Sequence, residues 1–263
     1  MKLAIAGKGG VGKTTLAAAL ARRAAGAGRR VIAVDADPAG GLASALGLPE
    51  DKLPEPIAGM RSLVEERTGA RGEGPGLVFR LNPDVEDIPD RFSADADGVR
   101  VLVLGTVNRG GRGCMCPEGA LLKALMQHVL LRIEDDVILD MEAGFEHIGR
   151  ASAAGVDAML TVVEPGMRSV EVARRIGKLA RDIGVTRTPV VLNKVSGPDE
   201  EETLRRALKG RTVLGVLPYS EELARADLEG RSGESLGGEF AAAVERVWLA
   251  LEAMLVREKR SSV

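Results

Sequence analysis

The sequence predicts a single α/β domain over residues 1–263, built on a central, mostly parallel sheet with helices on both faces. Three observations lead there. Apolar runs such as Arg30–Asp35 (RVIAVD) and Val99–Leu104 (VRVLVL) lack the strict alternation of a half-solvated strand, so they read as strands buried on both sides. Helical stretches alternate with those runs, as a parallel sheet with crossover helices requires. No composition break or internal repeat divides the chain, and 263 residues suit one α/β domain with a large core.

Lys2–Ala6 reads as a short buried strand that runs through Gly7–Thr14 into an Ala- and Leu-rich helix, Thr14–Ala25. Gly26–Arg30 breaks that helix, and Arg30–Asp35 is the second strand. Short helices are expected at Leu42–Leu46 and Met60–Arg67. The stretch Gly69–Gly98 is rich in Gly, Pro and Asp and reads mostly as loop, with one strand at Leu77–Leu81. Val99–Leu104 is a strand and Pro117–Leu131 a helix. Strands follow at Asp136–Asp140, Ala158–Val163 and Pro189–Asn193, with helices between them, the clearest at Val170–Ile183. The C-terminal helix, Glu239–Val256, has apolar positions at Val244, Val247, Trp248, Leu251, Met254 and Leu255. Packing on the sheet is the expected use of that face, ahead of an interfacial membrane helix.

Composition narrows the function. Lys+Arg 36 against Asp+Glu 38 leaves a net charge of -2, and aromatic residues make up only 2%. Neither a basic surface nor stacking platforms favour nucleic acid as a partner. Two cysteines cannot build a disulfide framework. No apolar stretch approaches the roughly 20 residues of a membrane span, and the N-terminus lacks a secretory apolar region. The expectation is a cytoplasmic protein with no membrane partner.

Gly7-Lys8-Gly9-Gly10-Val11-Gly12-Lys13-Thr14 matches G-x-x-x-x-G-K-[ST], between a buried strand and a helix. Glycines let a backbone curl around phosphate oxygens, and the following helix presents its positive end. The expected nucleotide contacts are Gly9, Gly10, Val11, Gly12, Lys13, Thr14 and Thr15, with Lys13 neutralising the β- and γ-phosphates and the Thr14 hydroxyl on Mg²⁺. Asp35-Ala36-Asp37-Pro38 ends the second strand, on the side where parallel sheets bind ligands. Asp140 ends another apolar strand and is placed to hold Mg²⁺ through water. The domain is therefore expected to be a P-loop domain and a Mg²⁺-dependent ATPase.

Lys8 is a second lysine inside the loop. With Lys8–Thr14 reading K-G-G-x-G-K-T, the motif resembles the deviant Walker A loop of the family that includes MinD, ParA, the nitrogenase iron protein and the arsenite-pump ATPases. The resemblance implies an ATP-bound dimer in which Lys8 crosses to the partner subunit's nucleotide, making Lys8, Lys13 and Asp37 the catalytic set. It further implies that Asp37 positions the attacking water and joins Thr14 and Asp140 at the Mg²⁺ site, whereas Asp35 is structural. Asp140-Met141-Glu142-Ala143-Gly144 looks like the family's second switch, in which Gly144 would donate its N–H to the γ-phosphate. Asn193 resembles the residue that reads adenine, and Leu217-Pro218-Tyr219 the loop over the base. The family often carries Asn four residues after Asp37; here that residue is Gly41.

Both cysteines fall in Arg109-Gly110-Gly111-Arg112-Gly113-Cys114-Met115-Cys116-Pro117. In an extended segment their Cα atoms stand roughly 6.5–7 Å apart on one face. Two tetrahedral Zn–S bonds need sulfurs ~3.8 Å apart, within reach of inward-leaning side chains. Pro117 suits the first position of a helix, so Cys116 would sit at its N-terminus, where the dipole favours thiolate. Two thiolates make half of a four-coordinate site. His128 and His147 are read as packing or surface residues, so two-fold symmetry supplies the other half: Cys114 and Cys116 from each of two chains. Soft ligation suits Zn²⁺, Cu⁺ or Ni²⁺; sulfurs in a square plane would favour Ni²⁺, and a tetrahedron Zn²⁺ or an iron–sulfur cluster.

The loop, the Cys-x-Cys and Asp140–Gly144 followed by Glu146 and His147 together resemble the CooC-type accessory ATPases, which mature the nickel centre of carbon monoxide dehydrogenase. The likeness runs from residue 1 to about Val195 and is weakest over Gly69–Gly98. It implies an ATP-driven homodimeric metallochaperone with the carbon monoxide dehydrogenase apoenzyme as client. The alternatives are a MinD- or ParA-like positioning switch and an iron–sulfur ATPase like the nitrogenase iron protein.

Overall fold

The apolar runs of the sequence pair side by side into one sheet. The computed structural model describes residues 1–37, 39–70, 78–106, 116–141, 155–229 and 237–261. Among these, the strands are β1 Lys2–Gly7, β2 Val31–Ala36, β3 Ala94–Ala96, β4 Val99–Val103, β5 Asp136–Met141, β6 Ala158–Val163, β7 Val190–Val195 and β8 Val213–Pro218. They lie in the order β3-β4-β2-β5-β1-β6-β7-β8, parallel throughout except for β3 against β4. The helices are α1 Lys13–Gly26, α2 Leu42–Ala45, α3 Arg61–Thr68, α4 Ile88–Phe92, α5 Pro117–Leu131, α6 Met167–Asp182, α7 Pro198–Ala207, α8 Glu221–Leu228 and α9 Gly238–Ser261.

Successive strand residues point to opposite faces, and both faces are dry. On β1, Leu3 and Ile5 join a core with α1, α2 and α9, whereas Ala4 and Ala6 join one with α3, α4 and α5. A smaller core links β7 to α6 and α7 through Leu192, Val170 and Leu204. The Ala-rich face of α1 lets it lie against the sheet, with Ala17, Ala18, Ala21 and Ala24 at most 1% exposed. The C-terminal helix packs there too. Trp248 is 1% exposed, and the guanidinium groups of Arg23 and Arg29 stand 5.6 and 5.3 Å from its ring centre. Among the described residues no helix is long and apolar enough to cross a membrane.

Two details differ from expectation. Val78–Leu81 forms no strand: Val78 is 86% exposed, and the edge beside β4 belongs to Ala94–Ala96 instead. That edge strand returns through Asp97-Gly98, whose φ values of 51° and 85° make the two-residue turn favoured by hairpin twist. The second is β8, absent from the sequence reading because Gly215 interrupts its apolar run. The glycine has a packing reason: a Cβ there would come 2.7 Å from Cγ2 of Val247 on α9.

The strand order positions the site. β1 lies between β5 and β6, with Ile5 opposite Asp140 and Gly7 opposite Val162. β2 places Asp35 opposite Asp140 on its other side. The loop after β1 therefore emerges among the carboxyl ends of β2, β5, β6 and β7.

Candidate functional site

The loop from Gly7 to Lys13 is held by backbone geometry and by its neighbours. Gly10 and Gly12 adopt φ of 79° and 90°, and a Cβ on Gly12 would stand 2.4 Å from Nδ2 of Asn193. Any side chain there would displace the loop. Asn193 Nδ2 donates to the Val11 carbonyl at 2.8 Å, and Lys194 Nζ donates to that of Gly10 at 2.6 Å. Lys194 reaches back because its own φ is 59°, a left-handed turn at the end of β7. The adenine-reading residue of the sequence analysis thus braces the loop in this structure.

Each loop lysine rests on a carboxylate of its own chain. Lys13, buried at the start of α1, has Nζ 3.4 Å from Asp37 Oδ2. Lys8 Nζ is 2.8 Å from Glu164 Oε1, and Lys194 Nζ is 3.6 Å from Glu164 Oε2. Glu164 follows β6 directly, and its backbone N–H donates to Ser169 Oγ at 3.1 Å.

Thr14 Oγ1 donates to Asp140 Oδ2 at 2.6 Å. Asp140 is fully buried, and its Oδ1 has no hydrogen-bond partner among the described residues. Burial pushes its carboxyl up to about 7; Asp35 and Asp37 add to the rise, and the Thr14 hydrogen bond and Lys13 oppose it. A buried, half-partnered carboxylate beside a hydroxyl is a donor set fit for a hard divalent cation such as Mg²⁺. Asp35 has other work: its Oδ1 accepts from Asp37 N at 3.2 Å and its Oδ2 from Leu42 N at 2.9 Å. It ties β2 to α2, and burial raises its carboxyl as well. Gly41, with φ of 115°, supplies the backbone turn into α2.

Farther along the carboxyl edge, Pro218 ends β8 opposite Val195, and Tyr219 N donates to the Val195 carbonyl at 3.1 Å. Tyr219 is half exposed.

Cys116 is the N-cap of α5 with Pro117 at the first helical position, and its Sγ accepts from Gly119 N at 3.3 Å. Cys114, Glu142, Ala143, Gly144, Glu146 and His147 lie outside the described residues. His128 sits in the last turn of α5, twelve residues from Cys116, so about 18 Å of helix separates them. It cannot share an ion with Cys116 of its own chain. Among the described residues no cluster of three or more metal-ligating side chains occurs.

Glu164 and Lys194, which the structure brings to the loop, were assigned no role from the sequence. The available signal was position: a charged residue directly after or within an apolar strand on the carboxyl side of the sheet.

A parallel sheet, a glycine loop opening a helix and a Thr hydroxyl bonded to a buried Asp define a P-loop nucleotide-binding α/β protein. More narrowly, residues 2–232 match the CobQ/CobB/MinD/ParA nucleotide-binding domain, and the chain belongs to that family. It is 44% identical to the carbon monoxide dehydrogenase accessory protein CooC of Rhodospirillum rubrum, over 88% of this chain and 89% of that one. An uncharacterised ATP-binding protein of Methanocaldococcus jannaschii is 41% identical over 94% of this chain and 96% of its own. Similar solved structures include the MinC:MinD cell division complex of Aquifex aeolicus, with a TM-score of 0.66 at 19% identity, covering 96% of each chain. A plasmid partition protein of Borrelia burgdorferi bound to AMPPNP has a TM-score of 0.68 at 16% identity, covering 96% of this chain and 98% of that one.

Proposed function

We propose that this chain is an ATP-hydrolysing metallochaperone that works as a homodimer and delivers nickel to the apoenzyme of carbon monoxide dehydrogenase. The observation that carries the reading is the 44% identity to CooC across nearly the whole chain. The Cys-x-Cys and the helix cap at Cys116 are the chemistry that goes with it.

ATP enters with its phosphates in the Gly9–Thr15 loop. Lys13 turns from Asp37 to the β- and γ-phosphates, leaving the Asp37 carboxylate to orient the attacking water. Thr14 and Asp140 would hold Mg²⁺, which would supply neutralisation of the phosphate charge. Lys8 reaches the nucleotide of the partner subunit and joins the protomers. Water attacks the γ-phosphorus, the bond to the bridging oxygen breaks, and ADP and phosphate leave. Asn193 and Pro218 line the base end of the site. In the closed dimer Cys114 and Cys116 of both chains surround one soft metal ion as cargo, Ni²⁺ in this reading and Zn²⁺ or an iron–sulfur cluster as substitutes.

Anaerobic nickel titration of the wild type and of Cys114→Ser/Cys116→Ser, with native mass recorded, tests the assignment. One ion per two chains, lost in the double variant, is the expected result. Undiminished binding in the double variant would remove the cysteines from the function and return the chain to a positioning switch of the MinD or ParA kind.

A further inference from the structure

Lys8 has two claims on it. The proposed function needs its ammonium to reach across to a partner's nucleotide, yet the structure pairs it at 2.8 Å with Glu164 Oε1 of its own chain. Glu164 is well placed to hold it. Its backbone is fixed by the bond from its N–H to Ser169 Oγ at the start of α6. The carboxylate is only 20% exposed, and its second oxygen faces Lys194, whose Nζ is anchored on the Gly10 carbonyl. One carboxylate thus spans two lysines that both belong to the loop's immediate surroundings. Lys13, in contrast, has Asp37 as its carboxylate, so the two lysines are held by separate acids that follow separate strands.

We infer that Glu164 is a latch on Lys8: a positioning residue that keeps the lysine on its own chain and must release it before the two subunits close. The inference rests on the reading in which Lys8 acts across the dimer. Its energetic logic is competition. Dimer closure exchanges a Lys8–carboxylate pair for a Lys8–phosphate pair, so the strength of the first is subtracted from the second. Because Lys8 is 41% exposed, the subtraction is that of a partly solvated ion pair. The effect is therefore a tuned threshold: it sets the protein concentration at which nucleotide assembles the dimer. It also makes the closed state easier to leave once the γ-phosphate is gone, since Glu164 recaptures the lysine.

The test compares wild type, Glu164→Gln and Lys8→Ala by sedimentation in Mg²⁺ and a non-hydrolysable ATP analogue. The rate at which an acylating reagent modifies Lys8 is read by mass spectrometry without nucleotide. Glutamine keeps the shape and loses the charge. The latch predicts that Glu164→Gln dimerises at roughly two- to five-fold lower protein concentration and that its Lys8 is modified faster. Lys8→Ala is expected to abolish nucleotide-dependent dimerisation. If Lys8→Ala dimerises like wild type, the trans role of Lys8 is wrong and the latch has nothing to restrain. If Lys8→Ala fails to dimerise but Glu164→Gln has an unchanged or raised midpoint, the latch alone is overturned, whatever the modification rate. Glu164→Ala serves as the second variant, with the same lowered midpoint expected.

Discussion

Asp140 concentrates the tension of the site at the scale of single atoms. Its carboxyl is fully buried, accepts one hydrogen bond from Thr14, and titrates near 7 because burial penalises its charge. The folded protein then binds a proton that the unfolded chain has already lost, so stability falls as pH rises from about 4 to about 7. Below that window the carboxyl is neutral in both states and adds no penalty. In chelator, without nucleotide, Asp140→Asn is expected to flatten this slope and to be more stable than wild type above pH 7, by about 4 kcal/mol at most. Urea unfolding at pH 5, 6, 7 and 8 measures it, and identical slopes would remove Asp140 as the source. The same variant is expected to lose the cation site and with it ATPase activity, on the order of a hundred-fold. In the proposed function, the burial that costs stability readies the carboxylate for a cation. Asp140 was legible in the sequence, at the end of an apolar strand. Glu164 was not, because its meaning depends on which strand lies beside the loop.

At the scale of elements, α5 joins structure to the proposed metal chemistry. Cys116 caps its first turn through Sγ, and Pro117 opens the helix without wasting a donor. Cys116→Ser retains a good cap and is expected to unfold within a few tenths of a kcal/mol of wild type, whereas Cys116→Ala is expected to lose about 1 kcal/mol. Chemical denaturation separates the two. Metal binding is expected to vanish in both, and its survival in the serine variant would reduce Cys116 to a cap. The helix and its first residue were readable from Cys-Pro followed by an Ala- and Leu-rich run. The short hairpin of β3 and β4 was also written locally, in Asp97-Gly98, although Leu77–Leu81 is the more apolar run. Leu77 lies outside the described residues, and Val78–Leu81 form no strand, the edge beside β4 being occupied by β3.

At the scale of the whole molecule, the proposed function couples nucleotide and metal through dimer closure. Coupling between two ligands is reciprocal: a factor by which ATP changes nickel affinity is the factor by which nickel changes ATP affinity. Anaerobic calorimetry of a non-hydrolysable analogue, with and without one nickel per two chains, is expected to give dissociation constants differing roughly five-fold or more. Equal constants would sever the metal from the nucleotide cycle. The strand order gives such coupling a physical route. Asp37 directly follows β2, Asp140 lies near the end of β5 and Glu164 directly follows β6, so three strands lead to the loop lysines and to Thr14.

Local chemistry determined the fold class, the nucleotide loop and the cap at Cys116, because glycine spacing, apolar runs and a Cys-Pro step carry their consequences within a few residues. Only the folded sheet decided that Asn193 and Lys194 brace the loop and that Glu164 holds Lys8. Those partners lie 182, 184 and 156 residues apart in the chain. No spacing rule spans such distances. What brings them together is the insertion of β1 between β5 and β6, an arrangement selected by burying both faces of the sheet at once.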